Sequence, residues 1–145
     1  MDFTNFDELI FRSIAIKNEI VMQDPTENGI RKALNFGHTL GHAIENIYSI
    51  PHGNAISIGM IAAASISEKV IDLKTEEKIR LIKLLEKYCL PTELKFDKEK
   101  AWQVLLHDKK RVGKELNFVL IKKIGEAVVQ RLSLVHLEIL FNKEF

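Results

Sequence analysis

Apolar side chains at Phe6, Leu9, Ile10, Ile14, Ile20 and Val21 recur with the period of a helix over residues 6 to about 23. Asp24-Pro25 ends that helix, because the residue before a proline is pushed out of the α region. Thr26 to Gly29 are turn formers. A second periodic stretch covers 31–45 and can bend at Gly37. Ser49 to Gly53, with Pro51 inside, reads as a short loop. Residues 54–71 are small or apolar nearly all round, the mark of a buried helix. Thr75-Glu76-Glu77 opens the next helix, although Lys78 stands where a capping box wants Glu or Gln. That helix runs through Ile79, Ile82, Leu84 and Leu85 to Leu90-Pro91, and Asp97 opens another with Trp102, Leu105 and Leu106 inward. Leu116–Ile121 and Ala127–Val129 are short β-prone runs that suit a hairpin, and Ser133 can cap a last helix through Leu140. The pattern predicts a mainly α, multihelical domain over 1–145 with at most a small two-stranded hairpin.

The 145 residues are enough to bury about two-thirds of the unfolded surface in one domain. A net charge of +1 gives no electrostatic case for nucleic acid or an anionic membrane. The single cysteine, Cys89, excludes an intramolecular disulfide and fits a reducing cytosol. No apolar run approaches the ~20 residues of a membrane span, and the N-terminus lacks the form of a signal peptide. A cytoplasmic location is therefore expected. No Gly-rich loop follows a strand, so the chain carries no dinucleotide-binding half of its own.

Candidate chemistry concentrates in residues 31–45. If that segment is one helix, steps of four, three, four and three put Arg31, Asn35, His38, His42 and Glu45 on one stripe. Ile30, Leu34, Gly37, Leu40, Gly41 and Ile44 fall on the neighbouring face. Gly37 and Gly41 cost a helix about 1 kcal/mol each relative to Ala and admit a close backbone or ligand. His38 and His42 stand one turn apart, a spacing that can chelate a divalent metal, and His52 can fold back onto them across the loop. Spacing alone leaves open which of these groups are ligands. Lys17 lies within the first apolar stripe, where it either snorkels to water, the commoner case, or faces an anion. Arg31 suits a carboxylate or phosphate. His107-Asp-Lys109-Lys110-Arg111 either complements a helix C-terminus or binds an anion. His136 reads as structural.

Taken in order, Lys17, Asp24 to Gly29, Arg31-x3-Asn35-Phe-Gly-His38-Thr-x-Gly-His42-Ala-Ile-Glu45 and His52-Gly-x-Ala-x3-Gly59-Met60 strongly resemble 3-dehydroquinate synthase. Asp108-Lys-Lys-x2-Gly-Lys114-x3-Phe118 resembles a later segment of the same family. The resemblance covers roughly residues 10 to 131 and falls in that family's C-terminal helical domain. It implies zinc, or another divalent metal such as cobalt, and NAD bound by an N-terminal domain absent here. It implies conversion of 3-deoxy-D-arabino-heptulosonate 7-phosphate to 3-dehydroquinate plus phosphate in the shikimate pathway, and a homodimer when full length.

By position, His38 and His52 are implied as metal ligands and His42 as a partner of the phosphate. Lys17 and Arg31 are implied to hold the carboxylate and hydroxyls, and Asn35 and Lys109 to reach the phosphate end. Two departures stand out. The third ligand implied by the resemblance is an upstream glutamate with no counterpart before Lys17, and Asn54 occupies a position that usually carries Glu. The isolated chain is therefore expected to be inactive. Related sugar-phosphate cyclases share much of this pattern, and a stand-alone, non-catalytic metal-binding helical module is the reading from a different class.

Overall fold

The computed structural model describes residues 6–93, 96–106 and 111–144. The chain forms two compact units, Met1–Asn35 and Phe36–Phe145.

In the first unit, helix α1 spans Phe6–Gln23 and none of its residues is buried. Its apolar positions Leu9, Ile10, Phe11 and Ile14 are exposed, and Ile20 and Val21 are half-buried. The chain leaves α1 through a turn built on Asp24. One carboxylate oxygen accepts the N–H of Asn28 at 3.0 Å; the other accepts those of Gly29 at 2.7 Å and Arg31 at 3.1 Å. A 3-10 helix, Ile30–Asn35, comes next. The condition that 31–45 run as one helix is therefore not met, and the break falls at Gly37, where the sequence allows a bend. In a 3-10 helix side chains eclipse at every third residue, so Arg31 and Asn35, four apart, share no stripe. Gly37, at φ +81°, ends any continuity with the helix that starts at His38.

The second unit is assembled around one helix. Here α2 is His38–Tyr48, α3 His52–Val70, α4 Thr75–Lys87, α5 Lys98–Leu106 and α6 Leu134–Glu144. The small and apolar residues that mark 54–71 as buried do lie on α3, which starts two residues earlier than the pattern predicts. Ala55, Ile58 and Ala62 of α3 pack with Leu40, Ile44, Leu105 and Phe141. Ala63 and Ile66 pack with Leu116, Phe118, Leu120 and Leu137, and Ala64 with Leu73, Leu81 and Leu85. Each fully buried Leu or Ile contributes about 1.5–3 kcal/mol. A helix apolar on every side is stable only when enclosed like this.

Helix α4 begins at Thr75 with Lys74 as its N-cap residue, so Thr75 lies inside the helix and does not cap it. It stops before Leu90-Pro91, at Cys89 with φ +55°. The N–H groups of Cys89 and Leu90 return to the carbonyls of Glu86 at 2.9 Å and Leu85 at 3.0 Å, which satisfies the helix end. Asp97 accepts the N–H of Lys100 at 3.1 Å and caps α5 as expected.

The hairpin is longer than the β-prone runs alone indicate. Strands β2 (Glu115–Lys123) and β3 (Glu126–Ser133) pair antiparallel with Val119 opposite Val129, and a bulge falls between Ile121 and Lys123. Gly125 at φ +92° makes the turn. A two-residue strand β1, Arg111–Val112, adds to the outer edge of β2, so the sheet has three strands in the order β1-β2-β3. Ser133 caps α6 by accepting the His136 N–H at 3.2 Å. No helix among the described residues is long and apolar enough to cross a membrane.

Candidate metal centre

Gly37 is the N-cap of α2 and Pro51 the N-cap of α3, so His38 and His52 are each the first residue of a helix. His42 is one turn further along α2. The link from α2 to α3 is short and turns at Ser49, φ +51°. It returns His52 to the face that carries the other two histidines. The imidazole centroids are 5.2 Å apart for His38 and His42, 5.7 Å for His38 and His52, and 5.8 Å for His42 and His52. One ring nitrogen from each lies within 4.8 Å of the others.

These residues fit a metal. Zn–N bonds of about 2.0–2.1 Å in a tetrahedron put donor nitrogens about 3.4 Å apart, within reach of small side-chain rotations from this arrangement. His42 and His52 are exposed and His38 is half-buried, so the cluster is open to a ligand. The rings are also oriented from behind. His38 Nδ1 lies 3.2 Å from the Phe36 carbonyl oxygen, and His52 Nδ1 lies 3.0 Å from Glu45 Oε2. Such contacts to the far side of a ring are what hold metal-binding histidines in place.

Of the other candidates, Arg31 and Asn35 make their side-chain contacts within the first unit. Arg31 donates to the Pro25 carbonyl at 2.8 Å and lies 3.9 Å from Glu27. Asn35 donates to Glu27 Oε1 at 2.6 Å. Glu27, itself at φ +57°, thus organises both, a role that the residue pattern alone does not assign. Its signal is the strained turn among Asp24 to Gly29. Burial opposes ionisation of Asp24, but the N–H groups of Gly29, Asn28 and Arg31 and the Arg31 charge outweigh it and hold its carboxyl below the usual range. Lys17 is exposed on α1, and His136 is exposed on α6. The Lys109 assignment, with the rest of His107 to Lys110, lies outside the described residues.

Fold and cluster together define a helical domain with a three-histidine, metal-competent centre. The family described as 3-dehydroquinate synthase C-terminal matches residues 1–111. The chain belongs to the 3-dehydroquinate synthase family. It is 42% identical over 126 residues to the 3-dehydroquinate synthase of Dehalococcoides mccartyi strain CBDB1, covering 85% of this chain and 35% of that protein. With the enzyme of Lactococcus lactis subsp. cremoris strain MG1363 it shares 36% over 138 residues, 91% of this chain and 38% of the relative. The chain thus spans well under half the length of these relatives.

Among solved structures, it resembles a 2-deoxy-scyllo-inosose synthase complexed with carbaglucose-6-phosphate, NAD+ and Co2+. The TM-score is 0.76 at 25% identity, over 88% of this chain and 39% of that one. A 2-epi-5-epi-valiolone synthase from Streptomyces hygroscopicus subsp. jinggangensis 5008, with NAD+ and Zn2+ bound, shares the fold. Its TM-score is 0.76 at 18% identity, over 95% of this chain and 40% of that one.

Proposed function

We propose that this chain is the metal- and substrate-binding part of a 3-dehydroquinate synthase, a phosphate-eliminating carbon–oxygen lyase of the shikimate pathway. It would convert 3-deoxy-D-arabino-heptulosonate 7-phosphate to 3-dehydroquinate and phosphate. The observation that carries this reading is the convergence of His38, His42 and His52 within 4.8 Å in a chain of this family.

In this reading His38 and His52 hold zinc or a similar divalent ion such as cobalt, and His42 donates to the phosphate. When bound, the metal is a Lewis acid that eases ionisation of a substrate hydroxyl. Lys17 and Arg31 hold the carboxylate and hydroxyls, and Asn35 and Lys109 hold the phosphate end. A substrate anionic at both ends is fixed in one orientation by such donors, which removes much of the entropic barrier. Because His38 and His52 open helices, the partial positive charge of two helix ends accompanies the cluster and favours an anionic group there. NAD is assigned to a separate domain, and the complete enzyme to a cytoplasmic homodimer.

Asn54, on the first turn of α3, and the likeness to 2-deoxy-scyllo-inosose synthase favour a second reading, a related sugar-phosphate cyclase. Joining the chain to the NAD-binding part of a relative and following phosphate release separates the two. Release from the heptulosonate phosphate and none from glucose 6-phosphate is expected, with no turnover by the chain alone. The reverse preference favours the second reading, and release from neither overturns both.

A further inference from the structure

Glu45 lies outside the group of three nitrogens that converge within 4.8 Å, yet its Oε2 is 3.0 Å from His52 Nδ1, across the turn between α2 and α3. A carboxylate only accepts, so this bond requires the hydrogen on Nδ1. The lone pair of the neutral ring is then on Nε2. An unconstrained neutral histidine prefers the opposite tautomer, with Nε2 protonated and unable to ligate.

We propose that Glu45 is a positioning residue that selects the Nδ1–H tautomer of His52 and fixes its ring so that Nε2 faces the cluster. His38 shows the same logic through a backbone acceptor, the Phe36 carbonyl at 3.2 Å. Two rings on different helices each turn Nδ1 to an oxygen, and only one of the two acceptors is a side chain. Stability does not account for the contact: the His52 and Glu45 side chains are 55% and 34% exposed, and exposed ion pairs contribute little. The consequence for metal affinity rests on the metal reading above, whereas the tautomer itself does not.

Long-range proton–nitrogen NMR of the metal-free chain at about pH 8.5, well above the ordinary histidine pKa of about 6.5, reads the tautomer directly. His52 is expected as Nδ1–H, shifting to mainly Nε2–H in Glu45→Ala. Glu45→Gln, whose amide oxygen still accepts, is expected to keep Nδ1–H. Zinc affinity should fall about 10–100-fold in Glu45→Ala and much less in Glu45→Gln, with the melting temperature hardly changed. An unchanged His52 tautomer in Glu45→Ala overturns the proposal, as does zinc affinity equal to the parent's. If the parent chain binds no zinc, the metal reading fails, and the tautomer comparison alone decides the role of Glu45.

Discussion

A side-chain carbon placed on Gly59 would stand 2.0 Å from the carbonyl oxygen of Gly37 and 2.7 Å from the backbone nitrogen of Gly41. Helices α2 and α3 therefore meet backbone to backbone, and this crossing sets the distance between the helix opened by His38 and the one opened by His52. Gly59→Ala must force them apart, at a cost of about 1–3 kcal/mol or more, and should weaken zinc binding as well. Gly53→Ala, whose added carbon meets nothing within 4 Å, should change neither. Urea unfolding and zinc titration of the two variants check this.

Ser67 is fully buried and ties α3 to the sheet. Its hydroxyl donates to the Ala63 carbonyl at 2.7 Å and accepts the Ile121 N–H at 3.1 Å. Ser67→Ala leaves a buried N–H without its acceptor, so unfolding free energy should drop by about 1–3 kcal/mol. Equilibrium urea denaturation measures it.

The Asp24 turn should be acid-sensitive. Its carboxyl is held below the usual range in the folded chain, with burial opposing and the Gly29, Asn28 and Arg31 N–H groups prevailing. A depressed carboxyl contributes fully above its unfolded pKa of about 3.9 and is lost as pH falls through the folded value. The protection of the Gly29 and Arg31 amides from hydrogen exchange, relative to the unstructured rate at the same pH, should hold at neutral pH and fall below about pH 4. Asp24→Asn should show weaker protection already at neutral pH and lose its acid dependence.

The three histidines should not be equivalent. His38→Ala and His52→Ala are expected to lower zinc affinity at least 100-fold. His42→Ala is expected to lower it less than 10-fold while abolishing phosphate release in the joined enzyme. Equilibrium dialysis and the phosphate assay together test this division of roles.

The hydrophobic pattern shows most of the frame. Asp24-Pro25 ends α1, the all-round apolar run is the enclosed α3, and Ser133 caps α6. Three features are hidden for physical reasons. Steps of three and four look alike whether 31–45 is one α-helix or a 3-10 turn broken at Gly37, because only backbone torsion distinguishes them. The link between Glu27 and Asn35 depends on a left-handed residue that composition does not reveal. His52 is expected in a loop, yet it opens α3, because Pro51 serves as the N-cap without a side-chain hydrogen bond to betray it. The convergence of the histidines is legible from spacing; the contact of Glu45 with His52 needs the turn geometry.

X-ray absorption at the zinc edge of the zinc-loaded chain tests most directly whether the three-histidine cluster is a metal centre. One zinc per chain is expected, with at least two imidazole nitrogens at about 2.0–2.1 Å, and the histidine signature should be lost in His52→Ala. Zinc that binds without stoichiometry, or with oxygen ligands and no imidazole, would contradict it.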